Sequence, residues 1–266
     1  MQEILVLKLG GSVITKKSQN KREVNEKILK RIAKEISEAK TKRNFSLVVV
    51  HGAGAFGHVP AKKYKLNEGL KNFDKQIKGI AETHKFMEEL NFRVVEALQN
   101  AKLNAIAFQP SASGVLENGK LVSFQLRILK NFLQLGIIPV LYGDVLLDRK
   151  KGIGILSGDY LVGYIAKKLN AKKVILCTDV NGVYTSDPKK DKNAKLIKKI
   201  GKVNVNEIKK LGSSTSTDVT GGMKRKIEEL LKISKKGMKI KLINGFKKGL
   251  LKRELIKGNA YGTIVD

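Results

Sequence analysis

Three observations predict an α/β fold with a largely parallel central sheet. Short apolar runs rich in Val, Ile and Leu alternate along the chain with longer stretches of helical period. Most of these runs stop in glycines or in small polar residues, as strands do where a loop begins. The chain has 266 residues, 42% of them hydrophobic, enough to bury the core of one large domain or two lobes.

Each element follows from its pattern. Ile4–Leu9 is an apolar strand. Helical spacing covers residues 25–40, where Ile28, Ile32 and Ile36 recur every four residues and charges fill the other face. A β-branched strand follows at 46–50, and a long helix at 74–101 carries Ile77, Ile80, His84, Met87, Leu90 and Val94 near one face. Residues 105–108 read as a strand and 124–135 as a helix. The strand at 137–141 ends in Tyr142-Gly143-Asp144. The helix at 159–169 leads to a strand at 173–177 that ends in Thr178-Asp179. A helix at 221–235, a strand at 239–243, a helix at 250–256 and the strand Thr263–Val265 complete the order. Segments 15–24 and 186–199 are polar and read as mobile loops. There is no internal repeat or low-complexity linker. A soft lobe boundary is expected near 149–154, separating residues 1–150 from 151–266.

Composition narrows the function. A single cysteine, Cys177, excludes a disulfide framework within the chain, so a reducing, cytoplasmic setting is expected. Residues 1–6 read as a strand rather than a signal peptide. No stretch approaches the roughly 20 apolar residues that span a membrane. The net charge of +29 invites a nucleic-acid reading, but the lysines are spread along the chain and many fill the polar faces of helices. A solvated basic surface that attracts small polyanions accounts for them, so no nucleic-acid partner is expected.

The chemistry gathers at predicted strand ends, where parallel sheets bind ligands. Val48-Val49-Val50-His51 runs into Gly52-Ala53-Gly54-Ala55-Phe56-Gly57-His58. Glycines let backbone N–H groups close on an anion, and a following helix would add its positive end. Standing alone, such a loop is equally a tight strand-to-helix turn. Leu7-Lys8-Leu9-Gly10-Gly11-Ser12 places a lysine inside an apolar strand, either reaching solvent or aimed at a phosphate. In Leu156-Ser157-Gly158-Asp159, Ser157 or Asp159 reads as an N-cap. Thr178-Asp179-Val180-Asn181-Gly182-Val183-Tyr184 is a turn that can also wrap a base and ribose. Asp218-Val219-Thr220-Gly221-Gly222-Met223-Lys224-Arg225-Lys226 puts small donors at a helix start and lysines one turn in. His51 reads as structural, and His84 as core or pocket wall. No His, Cys and Asp cluster has zinc spacing.

In this order the motifs resemble the amino-acid kinase superfamily, over essentially the whole chain. Phe56-Gly57-His58, Ala61-Lys62-Lys63-Tyr64, Gly143-Asp144-Val145 and the 218–223 segment resemble the isopentenyl phosphate kinases within it. Fosfomycin kinases share the histidine and are the nearest rivals. Ala53 stands where many relatives have a third glycine, which a negative φ would tolerate. The resemblance implies a three-layer α/β/α sandwich, with residues 1–150 holding the phosphate acceptor and 151–266 the ATP. It implies transfer of the ATP γ-phosphate to isopentenyl phosphate, with Mg²⁺ accompanying the nucleotide, and a homodimer.

By position, Lys8, Lys17 and Lys226 match the phosphate-facing lysines, and His58 the histidine on the acceptor phosphate. Lys16 and Lys224 leave each of the last two lysines with a neighbouring alternative. Gly52, Ala53, Gly54 and Gly158 are the further acceptor-side candidates. Gly10, Gly11, Ser12, Gly54, Asp179, Gly182, Tyr184 and Gly222 join Lys8 and Lys226 on the nucleotide side. A nucleic-acid-binding protein reusing the fold is the alternative of a different class.

Overall fold

The computed structural model describes residues 2–16, 22–186, 188, 191–201 and 238–265. The expected helix at 221–235, with Gly222 and Lys226, lies outside the described residues, as does Lys17.

The frame is an eight-stranded sheet. Its strands are β1 (Ile4–Leu9), β2 (Ser46–His51), β3 (Ala105–Ala107), β6 (Ile138–Tyr142), β9 (Lys173–Thr178), β12 (Lys199–Ile200), β13 (Lys239–Asn244) and β14 (Thr263–Val265). The order is β12-β14-β13-β9-β1-β2-β6-β3. From β13 to β3 every pairing is parallel, so six carboxyl ends face one edge. Only β14 runs against its neighbour β13.

Strand periodicity divides the core. Leu5, Leu7 and Leu9 of β1 are buried on one face, together with Leu29, Ile32 and Ile36 of α2 (Glu26–Lys42) and Leu90 and Val94 of α4 (Phe73–Asn100). Val6, Val48 and Val174 pack on the other face against Leu129 and Leu133 of α6 (Leu126–Gln134) and Leu161 and Ile165 of α7 (Gly158–Lys168). Each such side chain contributes about 1.5–3 kcal/mol on full burial. Both faces are covered, which is why these strands are apolar throughout and the sheet is parallel. The expected three-layer sandwich is therefore present.

A second, four-stranded sheet was not anticipated. Its order is β5-β4-β7-β8, from β4 (Gly114–Glu117), β5 (Lys120–Phe124), β7 (Asp144–Asp148) and β8 (Gly152–Leu156). Asp148 ties its two hairpins. Its carboxylate accepts N–H groups from Asn118 and Gly119 of one turn and from Lys150 and Lys151 of the other, at 2.7–3.1 Å. Burial opposes the charge, but the four donors outweigh it and hold the carboxyl below its usual range. The stretch 149–154 is the turn and first residues of β8 in this hairpin.

Most other boundaries shift by one or two residues, and three of the differences bear on the small strands. The helix expected at 124–135 begins at Leu126, because Phe124 closes β5. The 105–108 strand stops at Ala107. The supposed loop 186–199 contains β11 (Leu196–Ile197), which pairs with β10 (Val183–Tyr184), and the first residue of β12.

Candidate functional site

The glycine loops meet at the carboxyl edge of the sheet. Gly10 N–H donates to Cys177 O at 2.9 Å, Gly52 N–H to Leu9 O at 2.8 Å, and Gly143 N–H to His51 O at 3.3 Å. These bonds bring the ends of β1, β2, β6 and β9 to one floor. The backbones approach so closely that side chains are excluded: a Cβ at Gly52 would lie 2.6 Å from Gly11 N. Gly54 has φ +51 and faces the Thr15 side chain, so it needs the left-handed conformation as well as the space. Ala53 has φ −81, which its methyl tolerates as expected.

Three helices start on this edge: α1 (Gly11–Ile14), α3 (Gly54–Lys63) and α7. Their N–H groups and positive ends suit an anion. The helix α3 begins inside the glycine loop, so His58 sits one turn into it, on the face of Gly54. His58 is half-buried. Ser12 lies in α1, half-buried at the same edge.

Lys8 is 7% exposed. Its place in β1 turns it towards α7, where Nζ lies 2.5 Å from Asp159 Oδ1. The Lys8 stem passes beside Gly158, where a Cβ would stand in ordinary contact with Lys8 Cε at 3.6 Å. The two readings of the 157–159 motif thus divide. Ser157 caps α7, accepting Tyr160 N–H at 3.2 Å, while Asp159 fixes the lysine. Sequence spacing held no signal for that ion pair, because its partners are far apart in the chain. Of the two lysines near position 17, Lys16 pairs with Glu23 on the surface.

His51 is structural. It is fully buried and stacks on Tyr142 with ring centroids 5.4 Å apart. Its Nδ1 lies 3.1 Å from Gly52 O, while Asn91 donates to Nε2. That fixes Nδ1 as the protonated nitrogen. Burial pushes its pKa down to about 4, against a small opposing pull from the Gly52 carbonyl. Cys177 is buried, and desolvation pushes its thiol up to about 12.

On the β9 side, Asp179 and Gly182 lie in the loop that leads to Tyr184 in β10, and the segment is pinned to its neighbours. Val183 N–H donates to Thr263 Oγ1 at 2.8 Å. Asn181 donates to the Tyr184 hydroxyl at 3.0 Å and accepts from Asn244 at 2.9 Å. Asn244 was missed in the sequence, although it ends β13 as Asp179 follows β9. The segment after it is held by α2. Arg31 donates to the Gly245 and Lys247 carbonyls, and Glu35 accepts N–H groups of Gly249 and Lys252 at 2.9 and 3.0 Å. Glu35 thereby caps α8 (Leu250–Lys257) from another helix.

Beside the clamp lies a small apolar cluster. Ala61, Tyr64, Leu66, Val145 and Ile153 are buried there, with Leu70, Ile80 and Ile155 packed against them. Of Ile77, Ile80 and Met87, placed near one face of α4 by the sequence, Ile80 joins this cluster. Met87 is instead a core residue at 1% exposure, and Ile77 is 43% exposed to solvent. One α-helical stripe thus spans core, small cluster and surface over its length. Among the described residues no helix is long and apolar enough to cross a membrane.

A buried lysine beside a carboxylate, at converging glycine loops and helix N-termini, has the chemistry to hold phosphate groups. Residues 3–244 match the amino acid kinase family, and the chain belongs to that family. Within it, the chain is 37% identical to the isopentenyl phosphate kinase of Methanothermobacter thermautotrophicus, covering 98% of each chain. It is also 37% identical to that of Methanocaldococcus jannaschii, covering 99% of this chain and 98% of the other. An X-ray structure of isopentenyl phosphate kinase superposes with a TM-score of 0.84 at 34% identity, covering 98% of this chain and 99% of that one. The product complex of the Thermoplasma acidophilum isopentenyl phosphate kinase superposes with a TM-score of 0.79 at 28% identity, covering 99% and 100%.

Proposed function

We propose that this protein transfers the γ-phosphate of ATP to isopentenyl phosphate, forming isopentenyl diphosphate and ADP. The observation that carries the reading is Lys8, buried and held by Asp159 where the glycine loops meet, in a chain matched end to end by isopentenyl phosphate kinases.

The acceptor needs no general base. A phosphate monoester is largely a dianion near neutral pH, its second pKa being about 6. One of its oxygens attacks the γ-phosphorus while the bond to the bridging β–γ oxygen breaks. The obstacle is mutual repulsion of two anions, so fixed cations and N–H donors do most of the work. Lys8 supplies charge where it develops, with Lys17 and Lys226 assigned beside it by motif. Gly10, Gly11, Ser12 and Gly222 line the nucleotide phosphates, and Asp179, Gly182 and Tyr184 the nucleoside. Gly52, Ala53, Gly54 and Gly158 face the acceptor phosphate, with His58 donating to it. The apolar cluster of Val145, Ile80 and Ile155 suits a short hydrocarbon tail beside that clamp.

Among the described residues no three His, Cys, Asp or Glu side chains group to hold a metal. That suits Mg²⁺ that arrives on nucleotide phosphates and keeps most of its waters. That ion would neutralise phosphate charge. The same reading assigns residues 1–150 to the acceptor lobe and 151–266 to the nucleotide lobe, in a cytoplasmic homodimer.

The test is a coupled ADP-release assay over isopentenyl phosphate, dimethylallyl phosphate, fosfomycin and UMP. Isopentenyl phosphate is expected to show the highest kcat/KM. Preference for fosfomycin would leave a kinase with a different acceptor. Salt-sensitive RNA binding without ATP turnover would favour the nucleic-acid alternative.

A further inference from the structure

A second histidine stands on the acceptor side of the clamp. The helices α3 and α4 pass in opposite directions: a methyl on Gly79 of α4 would strike Tyr64 beyond the end of α3, and one on Gly57 near its start would meet Met87 Sδ at 2.8 Å. His84 lies between these levels. It is one turn from Ile80 in the apolar cluster and nearly one turn from Met87 beside Gly57.

Its Nδ1 stands 3.2 Å from Asp144 Oδ1, at ion-pair distance but not aligned as a hydrogen bond. Asp144 directly follows Gly143 at the floor of the clamp, and its side chain is 0% exposed. It is fixed from two more directions, accepting Ser111 N–H at 3.0 Å and Val145 N–H at 2.8 Å. Burial pushes this carboxyl up, while His84, Ser111 and Val145 pull the other way. The imidazole is 20% exposed, with Asp144 against Nδ1. A ring so placed has one nitrogen against a carboxylate and the other available. With both nitrogens protonated, it can donate to a carboxylate on one side and a phosphate oxygen on the other.

We propose that His84 is a second acceptor-binding histidine, with Asp144 holding Nδ1 and Nε2 meeting the acceptor where its phosphate end gives way to the apolar tail. This rests on the isopentenyl phosphate reading above. His58 would then fix the phosphate and His84 its angle to the tail, which brings the attacking oxygen into line.

Two substitutions separate binding from support. His84→Asn keeps a donor near Asp144 but is too short to replace Nε2. His84→Gln extends a donor to about the reach of Nε2. His84→Asn is expected to raise KM for isopentenyl phosphate about tenfold, as for loss of a hydrogen bond to a charged group, with KM for ATP and the melting temperature unchanged. His84→Gln should recover most of that loss. A KM for isopentenyl phosphate in His84→Asn equal to wild type, or an equal rise for both substrates, would overturn the role of His84. Wild-type protein assayed alongside separates the two claims. Absence of any isopentenyl phosphate turnover would overturn the acceptor assignment and the role of His84 with it, whereas turnover with an unmoved KM overturns only the latter.

Discussion

The glycine-lined edge of the sheet, proposed above to hold the phosphates, and the apolar cluster, proposed as the acceptor wall, are built differently. The edge is backbone chemistry: Gly10, Gly11, Gly52 and Gly143 are pressed together by strand-end hydrogen bonds, and one lysine is fixed among them. The wall is side-chain packing, from α4, from the α3 end with the Leu66–Glu68 turn, and from the two hairpins that Asp148 ties together. Close backbone approach demands particular residues at particular places. A wall asks only for apolar volume, which many residues provide. The edge should therefore fail abruptly on single substitutions, while the wall should shift preference and stability by degrees.

The largest effect is expected at Lys8. Removing one preorganised charge that acts on the transferring phosphoryl group typically costs about 10²–10³ in kcat. Lys8→Ala should lose that much with its circular dichroism unchanged, because Leu5, Leu7 and Leu9 carry the packing of β1. A kcat within threefold of wild type would remove Lys8 from the chemistry.

His58→Ala sharpens the division between substrates. Loss of one charged hydrogen bond, about 1.5–3 kcal/mol, should lower kcat/KM for isopentenyl phosphate by one to two decades. Nucleotide binding measured by calorimetry should persist. Parallel loss of ATP affinity would place the histidine on the other substrate.

On the wall side, Asp148→Ala removes a carboxylate shared by four N–H donors and should cost about 1.5–3 kcal/mol of stability. Because the hairpins carry Val145 and Ile153, KM for isopentenyl phosphate should rise more than KM for ATP. Denaturant titration and the two KM values check this; equal changes in both would mean the small sheet is not part of the acceptor wall.

The smallest effect concerns His51, under the edge. Its folded pKa, about 4, lies below the unfolded 6.5, so the unfolded chain takes up the proton first as pH falls. The stability this group contributes is complete above pH 6.5 and is lost progressively down to about pH 4. About 1 kcal/mol should be gone by pH 5.5. His51→Gln should flatten that slope, and an identical slope in both proteins would show that the buried imidazole is not its source.

Much of the edge was legible because its signals are local. Ile4–Leu9 and Thr263–Val265 were read with their observed limits, since both are short, largely β-branched or leucine-rich runs set off by polar residues or glycine. The 52–58 segment announced itself through glycines that only a tight approach requires. The wall was not legible. Residues 145–148 and 152–156 suggest no strand in the sequence, because a short hairpin strand flanked by turn residues has too few positions to show its period. Asp159 looked like a cap because its partner Lys8 is brought near only by the sheet. His84 and Asp144 were both in view, yet their contact depends on how α4 crosses β7.

Transfer itself gives the most direct measurement. With ATP labelled at the γ-phosphorus, wild-type protein and isopentenyl phosphate should yield label in the terminal phosphate of isopentenyl diphosphate, and Lys8→Ala should slow its appearance at least a hundredfold while remaining folded. Label appearing only as free phosphate, or passing to fosfomycin or UMP in preference to isopentenyl phosphate, would contradict a site built for a short isoprenoid monophosphate.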